Sequence, residues 1–252
     1  PRPSRGLIDT TPDGGCPGGR HRRVVAYRAA MPTFAPPDIA AERRADGSWV
    51  LRSRTPLGPY ERSVGAVIAR HAGERPDADL LCERDAQGTW RRVTYGQAWQ
   101  AARALGQALL DQGLGPERPA MVLSGNGVDH GLLMLGCHLA GVPFVPVSAA
   151  YSLQSADFAT LAHVVRRTAP GLVYVASVAP HARALDALDL GDATLVSSAP
   201  GDDALAFGDL AATPPGEGID AAAAAVGPDT VAKILFTSGS TGRPKGVVTT
   251  HR

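Results

Sequence analysis

Residues 237 to 246 read TSGSTGRPKG and combine three residue types that can bind phosphate. Glycine lets the backbone approach a ligand closely and adopt positive φ. Backbone N–H groups in such a turn form a concave anion site, to which hydroxyl groups and a lysine add donors and charge. This composition predicts a polyphosphate site. The hydroxyl side chains belong to Thr237, Ser238, Ser240 and Thr241, the glycines are Gly239, Gly242 and Gly246, and the cation is Lys245.

The spacing does not fit the Walker-type phosphate loop, which reads G-x-x-x-x-G-K-[ST]. Lys245 follows Pro244 instead of a glycine, and Gly246 stands where a magnesium-binding Ser or Thr is required. A Walker loop also opens a helix, whereas the β-branched run GVVTT from Gly246 favours a strand. We therefore predict a loop that joins strand to strand. A glycine-rich hairpin without a ligand is the alternative interpretation.

The segments that must position this loop alternate between helix and strand. TYGQAWQAARALGQALLDQG carries Thr94 and Gln97 at the capping-box spacing and Gly113 as a stop signal. A helix that is apolar nearly all round follows at Val128, which is typical of a buried helix. Strands then alternate with helices, including one expected over residues 152–170, until Ser198. This alternation predicts an α/β fold with a layered, mostly parallel sheet and flanking helices.

The loop also carries a resemblance to a known family. FTSGSTGRPKG resembles the signature T-S-G-[ST]-T-G-x-P-K-G of the adenylate-forming (AMP-binding) superfamily, in which a hydrophobic or aromatic residue precedes the motif. That superfamily contains acyl- and aryl-CoA synthetases, peptide-synthetase adenylation domains and luciferases. The resemblance extends from about Tyr60 to Arg252, and it implies the N-terminal portion of the large domain of these enzymes.

A second stretch is similar to feruloyl-CoA synthetases and related aromatic-acid CoA ligases, in which P-V-S-x-x-Y-S-L is followed by D-F. This resemblance implies subfamily kinship and does not identify a substrate contact. The matching residues here are Pro146, Val147, Ser148, Tyr151, Ser152, Leu153, Asp157 and Phe158.

The resemblance implies an acid–thiol ligase that uses ATP, Mg²⁺ and coenzyme A and acts on an aromatic acid such as ferulate. A carboxylate would attack the α-phosphorus of ATP, and the thiol of CoA would then displace AMP. Lys245 would be the catalytic cation, and no metal ligand can be named among these residues. The phosphates would be bound by Thr237, Ser238, Gly239, Ser240, Thr241, Gly242 and Lys245. A fatty acid or an amino acid is the alternative substrate.

Composition shifts divide the chain into four parts. A leader rich in Pro, Gly and Arg, expected to be partly disordered, occupies residues 1–59, and an α/β subdomain occupies 60–203. A linker-like connection follows at 204–230, and the strand–loop–strand motif occupies 231–252. Both ends look cut, so we expect an N-terminal fragment. A truncated, catalytically incompetent half-domain is therefore an alternative to an active ligase.

Composition also narrows the classes of partner and compartment. A net charge of +1 argues against binding to nucleic acid or an anionic membrane. No apolar run approaches the roughly 20 residues needed to span a bilayer. Three isolated cysteines suit a reducing compartment, so we expect a cytoplasmic location.

His130, Cys137 and His138 could suggest a metal site, but adjacent helical residues diverge by about 100°, which favours core packing. The SGNG stretch at 124–127 indicates a plain turn, with a ligand role as the alternative.

Overall fold

The computed structural model describes residues 37–85, 87–199, 204–237 and 242–252, which belong to two compact units that meet in the sequence between Gly58 and Pro59. In the first unit, β1 (Ile39–Arg43) and β2 (Trp49–Ser53) form an antiparallel hairpin. The composition of the sequence groups these residues with the leader and gives no sign of the hairpin. The expectation for residues 1–36 lies outside the described residues.

The second unit contains the alternating elements that the sequence predicts. Its first half comprises α1 (Val64–Glu74), β3 (Asp79–Arg84), β4 (Trp90–Thr94), α2 (Tyr95–Asp111), β5 (Ala120–Val122), α3 (Val128–Ala140) and β6 (Phe144–Pro146). Its second half comprises α4 (Ala150–Leu153), α5 (Ala159–Thr168), β7 (Leu172–Val175), α6 (Ala182–Ala187), β8 (Thr194–Ser197), β9 (Leu205–Ala206), α7 (Phe207–Ala211), α8 (Glu217–Ala225), β10 (Val231–Thr237) and β11 (Lys245–Thr250).

Seven strands form one sheet in the order β11-β10-β6-β5-β7-β8-β9. Every neighbouring pair is parallel except β10–β11, which is antiparallel. Alternate side chains of β5 enter separate cores, because Ala120 and Val122 pack with α2 and α3, whereas Met121 packs with α5 and α6. The sheet therefore lies between two helical layers, and the predicted α/β fold class is confirmed.

Helix α2 begins with the capping box that the sequence predicts. The Thr94 hydroxyl oxygen accepts a hydrogen bond from the Gln97 backbone N–H at 3.3 Å, and the Gln97 side-chain oxygen accepts one from the Thr94 N–H at 2.9 Å. Gly113 follows the helix with φ of +72°, a conformation that glycine adopts without steric cost. The predicted stop signal is confirmed.

Thr94→Ala should lower the free energy of unfolding by about 0.5–2 kcal/mol, because the Gln97 N–H loses its partner. Urea denaturation measures this loss, and Thr94→Ser, which keeps the hydroxyl group, is the matched control. Equal losses for the serine and alanine variants would show that the methyl group, and not the capping bond, stabilises the helix start.

Helices α2 and α3 pack closely against each other at a pair of glycines. A Cβ atom on Gly136 would lie 2.8 Å from the Leu105 Cβ and 3.2 Å from the Gly106 backbone nitrogen. Leu105 and Leu133 are fully buried at this contact, and most of α3 is inaccessible to solvent. The prediction of a buried, apolar α3 is therefore confirmed.

The single helix predicted over residues 152–170 is wrong, because the structure has the short α4 and then α5. Local polar bonds explain the break: the Ser155 hydroxyl accepts from the Phe158 N–H at 3.1 Å, and the Asp157 carboxylate accepts from the Ala159 N–H at 3.1 Å. Such bonds compete with helical backbone pairing. Phe158 accordingly adopts φ of +51° immediately before α5.

The expectation that residues 204–230 form a linker-like connection is also wrong. This stretch contains α7 and α8, and Ile219 of α8 is only 1% exposed within the α2–α3 core. Side chains from elsewhere stabilise α8. The Gln107 side-chain oxygen accepts from the N–H of Ile219 at 3.1 Å. Nη2 of Arg103 donates to both carboxylate oxygens of Asp220, at 2.6 and 2.8 Å, and Arg62 donates to carbonyl groups at the helix end.

Candidate functional site

The predicted phosphate loop connects β10 to β11 at one edge of the large sheet. Thr237 ends β10 and is paired with Lys245, which begins β11, and Phe236 is paired with Gly246. The strand beginning at Lys245 agrees with the predicted strand-to-strand loop, and it differs from the helix that a Walker loop requires. Since β10 is also paired with β6, an interior strand, the sheet supports the loop on the β10 side.

The structure describes three of the seven predicted phosphate-binding residues. Thr237 is exposed, and its hydroxyl lies 3.5 Å from the Lys245 carbonyl oxygen. Lys245 is exposed, and Gly242 adopts φ of +154°, a conformation that disfavours any residue with a Cβ atom. Thr237 and Lys245 are thus neighbours across the strand pair. Ser238, Gly239, Ser240 and Thr241 lie outside the described residues.

The chain that leads into Lys245 lies over helix α5. The His163 ring nitrogen Nε2 is 3.1 Å from the Pro244 carbonyl oxygen. A cavity of about 440 Å³ opens between α5 and the β10–β11 pair. Its polar lining includes His163, Arg167, Arg243 and Lys245, and its apolar lining includes Phe236 and Val248. Among these polar residues, only Lys245 belongs to the motif that the sequence marks as a phosphate site.

A polar network lies at the carboxyl ends of β7 and β8, and the sequence does not predict it. The Asp129 carboxylate accepts hydrogen bonds from Arg91 at 2.7 Å and from the Ser198 hydroxyl at 2.6 Å. The Tyr174 hydroxyl lies 2.7 Å from the Ser198 hydroxyl. The hydrogen bond to Asp129 raises the pKa of Arg91, and burial raises the pKa of Tyr174. These bonds join α3 to the hairpin β3–β4 and to the end of β8, which indicates a structural role.

The SGNG stretch at 124–127 forms the connection between β5 and α3. The Ser124 hydroxyl accepts a hydrogen bond from the Ala176 N–H, and a ring nitrogen of His130 lies 3.2 Å from the Gly125 carbonyl oxygen. Ser124 is therefore already engaged within the protein. This geometry supports the interpretation of the stretch as a turn.

Cys137 and His138 lie in the core, in agreement with the packing interpretation of α3. Burial raises the pKa of the Cys137 thiol. Burial, with a smaller contribution from the charges of His251 and Lys233, lowers the pKa of His138 to about 4. The His138 and His251 rings meet edge-to-face with centroids 5.2 Å apart, and Nδ1 of His251 accepts a hydrogen bond from the Val64 N–H at 3.3 Å.

The described residues contain no group of three or more His, Cys, Asp or Glu side chains placed to hold a metal ion. Within the same ranges, every helix is too short or too polar to cross a bilayer.

Comparison with known proteins gives relatives of two kinds, a CoA ligase and a nonribosomal peptide synthetase. A methyl-dioxo-octahydroindenyl-propanoyl:CoA ligase of Rhodococcus jostii is 34% identical over 173 residues, which are 64% of this chain and 33% of the ligase. Nonribosomal peptide synthetase 32 of Fusarium pseudograminearum is 30% identical over 227 residues, which are 88% of this chain and 2% of the synthetase. The chain thus spans about a third or less of these curated relatives.

Solved structures and family membership agree with these sequence relatives. A benzoate CoA ligase from Burkholderia xenovorans has a TM-score of 0.59 and 26% identity, over 75% of this chain and 34% of the ligase. A family model described as AMP-binding enzyme matches residues 68–252, a range that includes β10, the loop and β11. Because the match covers most of the chain, the chain belongs to the AMP-binding enzyme family.

Proposed function

We propose that the protein carrying this chain activates a carboxylic acid with ATP and transfers the acyl group to a thiol. A carboxylate oxygen attacks the α-phosphorus, forming an acyl-adenylate and releasing pyrophosphate. The thiol sulfur then attacks the acyl carbon, forming a thioester and releasing AMP. One observation carries the proposal: a glycine, hydroxyl and lysine loop joins two antiparallel strands within the part that matches the AMP-binding family.

The first step needs positioning and charge neutralisation more than an acid or a base, because the carboxylate is itself the nucleophile. In our proposal the loop binds the β- and γ-phosphates, which leave as pyrophosphate. Its glycines allow close approach of the backbone, and Lys245 neutralises the departing negative charge. The hydroxyl and backbone donors are those of Thr237, Ser238, Ser240 and Thr241.

Magnesium enters the proposal together with ATP. Residues 237–246 contain no carboxylate, so these residues suit the phosphate oxygens better than a divalent cation. We therefore infer that Mg²⁺ reaches this site bound to the phosphates, where it neutralises part of their charge.

More specifically, we propose that the carboxylate substrate is an aromatic acid such as ferulate. The support for this substrate is the resemblance of residues 146–158 to aromatic-acid CoA ligases. Within that stretch the Ser152 hydroxyl lies 3.0 Å from the Ala149 carbonyl oxygen and 2.9 Å from Nδ1 of the buried His181. These contacts pack α4 against the segment before α6. The contacts of this stretch are therefore packing contacts, and only its resemblance supports kinship with aromatic-acid CoA ligases. Another carboxylate, such as a fatty or amino acid, fits the same geometry equally well.

Coenzyme A is the thiol acceptor that we propose, because one relative is a CoA ligase. Another is a nonribosomal peptide synthetase, so a different thiol acceptor is the competing proposal.

A cytoplasmic location remains a prediction from the isolated cysteines, of which Cys82 and Cys137 are free thiols.

Carboxylate-dependent exchange of labelled pyrophosphate into ATP tests the first step directly. We expect exchange with at least one acid from a panel of ferulate, benzoate, a long-chain fatty acid and amino acids. Adding CoA with that acid should then produce a thioester. A rate of pyrophosphate exchange that none of the acids increases would contradict the proposal. Exchange without formation of a CoA thioester would support the adenylation step and argue against CoA as the acceptor.

A further inference from the structure

His163 forms a long-range contact with the segment that precedes Lys245. It lies on α5, is half-buried, and its Nε2 is 3.1 Å from the Pro244 carbonyl oxygen, 81 positions along the chain. A carbonyl oxygen only accepts, so Nε2 must carry the hydrogen. Both the neutral Nε2–H tautomer and the imidazolium can make this bond.

The carbonyl group that accepts this hydrogen bond belongs to the peptide group between Pro244 and Lys245, the last one before β11. Pro244 has no backbone N–H, so its carbonyl is its only main-chain hydrogen-bonding group. Because a peptide group is planar, the direction of this carbonyl also sets the direction of the Lys245 backbone nitrogen. The bond from His163 therefore limits the orientation from which the Lys245 side chain leaves the strand.

The segment before Lys245 is bordered by open space. Two cavities, of about 440 Å³ and about 460 Å³, are lined both by Arg243 and Pro244 and by residues of α5. Within the described residues, the bond from His163 is the one hydrogen bond between α5 and residues 242–245. A single polar contact therefore connects α5 to the approach to Lys245.

We propose that His163 is a positioning residue for phosphate binding, which acts through the Pro244 carbonyl to orient Lys245. The inference rests on the proposed function, because it requires Lys245 to bind the phosphates of ATP. It extends that function by making α5, a helix outside the loop, part of the phosphate site. His163 itself touches no phosphate in this proposal.

The test compares three single variants of the protein that carries this chain. His163→Leu removes the donor and keeps comparable bulk, whereas His163→Gln keeps an N–H donor at similar reach. His130→Leu is the matched control, because the His130 ring nitrogen also lies near a backbone carbonyl oxygen, that of Gly125, at 3.2 Å. Calorimetric titration gives the dissociation constants of Mg·ATP and of AMP for each variant.

We expect His163→Leu to weaken Mg·ATP binding by roughly three- to tenfold, the range for a lost neutral hydrogen bond. AMP lacks the distal phosphates, so its affinity should stay unchanged. His163→Gln should restore Mg·ATP affinity, and His130→Leu should leave both affinities at the wild-type value. In a Lys245→Ala background, His163→Leu should have no further effect, because the residue through which it acts is gone.

Several results would overturn this inference. They are an undiminished Mg·ATP affinity in His163→Leu, equal losses for AMP and Mg·ATP, and equal losses with and without Lys245. If His163→Leu does not fold, His163→Asn, whose amide is too short to reach the carbonyl, replaces it in the same comparison. Failure of the proposed function gives a different result: the wild-type protein that carries this chain would then bind neither nucleotide, and the inference would be rejected together with the function.

Discussion

Lys245→Ala is expected to slow carboxylate-dependent ATP–pyrophosphate exchange by about a hundredfold. The lost charge-assisted contact to phosphate corresponds to about 2–3 kcal/mol. Lys245 begins β11 directly after the loop and is exposed, so its ammonium group is available to a ligand. The effect should appear as a lower exchange rate at saturating ATP and acid, because neutralisation matters most as the diphosphate departs.

The chain offers a matched control, since it contains only two lysines, Lys233 and Lys245. Lys233→Ala should exchange at the wild-type rate, and Lys245→Arg, which keeps the charge on a planar group, should fall between wild type and alanine. An alanine variant as active as the wild type would remove Lys245 from the reaction. Equal losses at both lysines would point instead to a general weakening of the β10–β11 pair.

Ile219→Ala is expected to lower the free energy of unfolding by about 2–5 kcal/mol, as for other large-to-small substitutions in a core. Ile219 lies in the core with α2 and α3, where its side chain occupies the space that a Cβ on Gly106 would enter, at 2.5 Å. Chemical denaturation followed by circular dichroism measures the loss.

The control for Ile219→Ala comes from the same stretch of chain. Leu205→Ala removes an exposed side chain in β9 and should change stability by no more than about 0.5 kcal/mol. If both variants are as stable as the wild type, residues 204–230 behave as the connector that their composition suggests, and the packing of α8 contributes nothing.

Features encoded over short distances could be predicted from the sequence. The α/β class follows from alternating strands and helices, and the start of α2 follows from Thr94 and Gln97, three residues apart. The strand after Lys245 follows from a β-branched run. Each single element is recognised from residues within one or two turns of chain, where propensity and spacing are informative, and the fold class follows from the order of the elements.

Features that depend on distant partners could not be predicted in this way. Helix α8 is Ala-rich with weak end signals, and its partners Arg62, Arg103 and Gln107 come from α2 and the chain before α1. The bond between His163 and Pro244 joins residues far apart in sequence, and no local pattern marks His163 as different from any other helical histidine. Such contacts become visible only once the topology brings the elements together.

Strand β11 is bonded at its two ends to helices that cover opposite faces of the sheet. The residue before it is bonded to α5, and His251, just after it, accepts a hydrogen bond from the first turn of α1. Each of these bonds therefore connects one end of the strand that begins with Lys245 to a different helix. Under the proposed function, a change in the packing of α1 should then also be measurable as a change in nucleotide affinity.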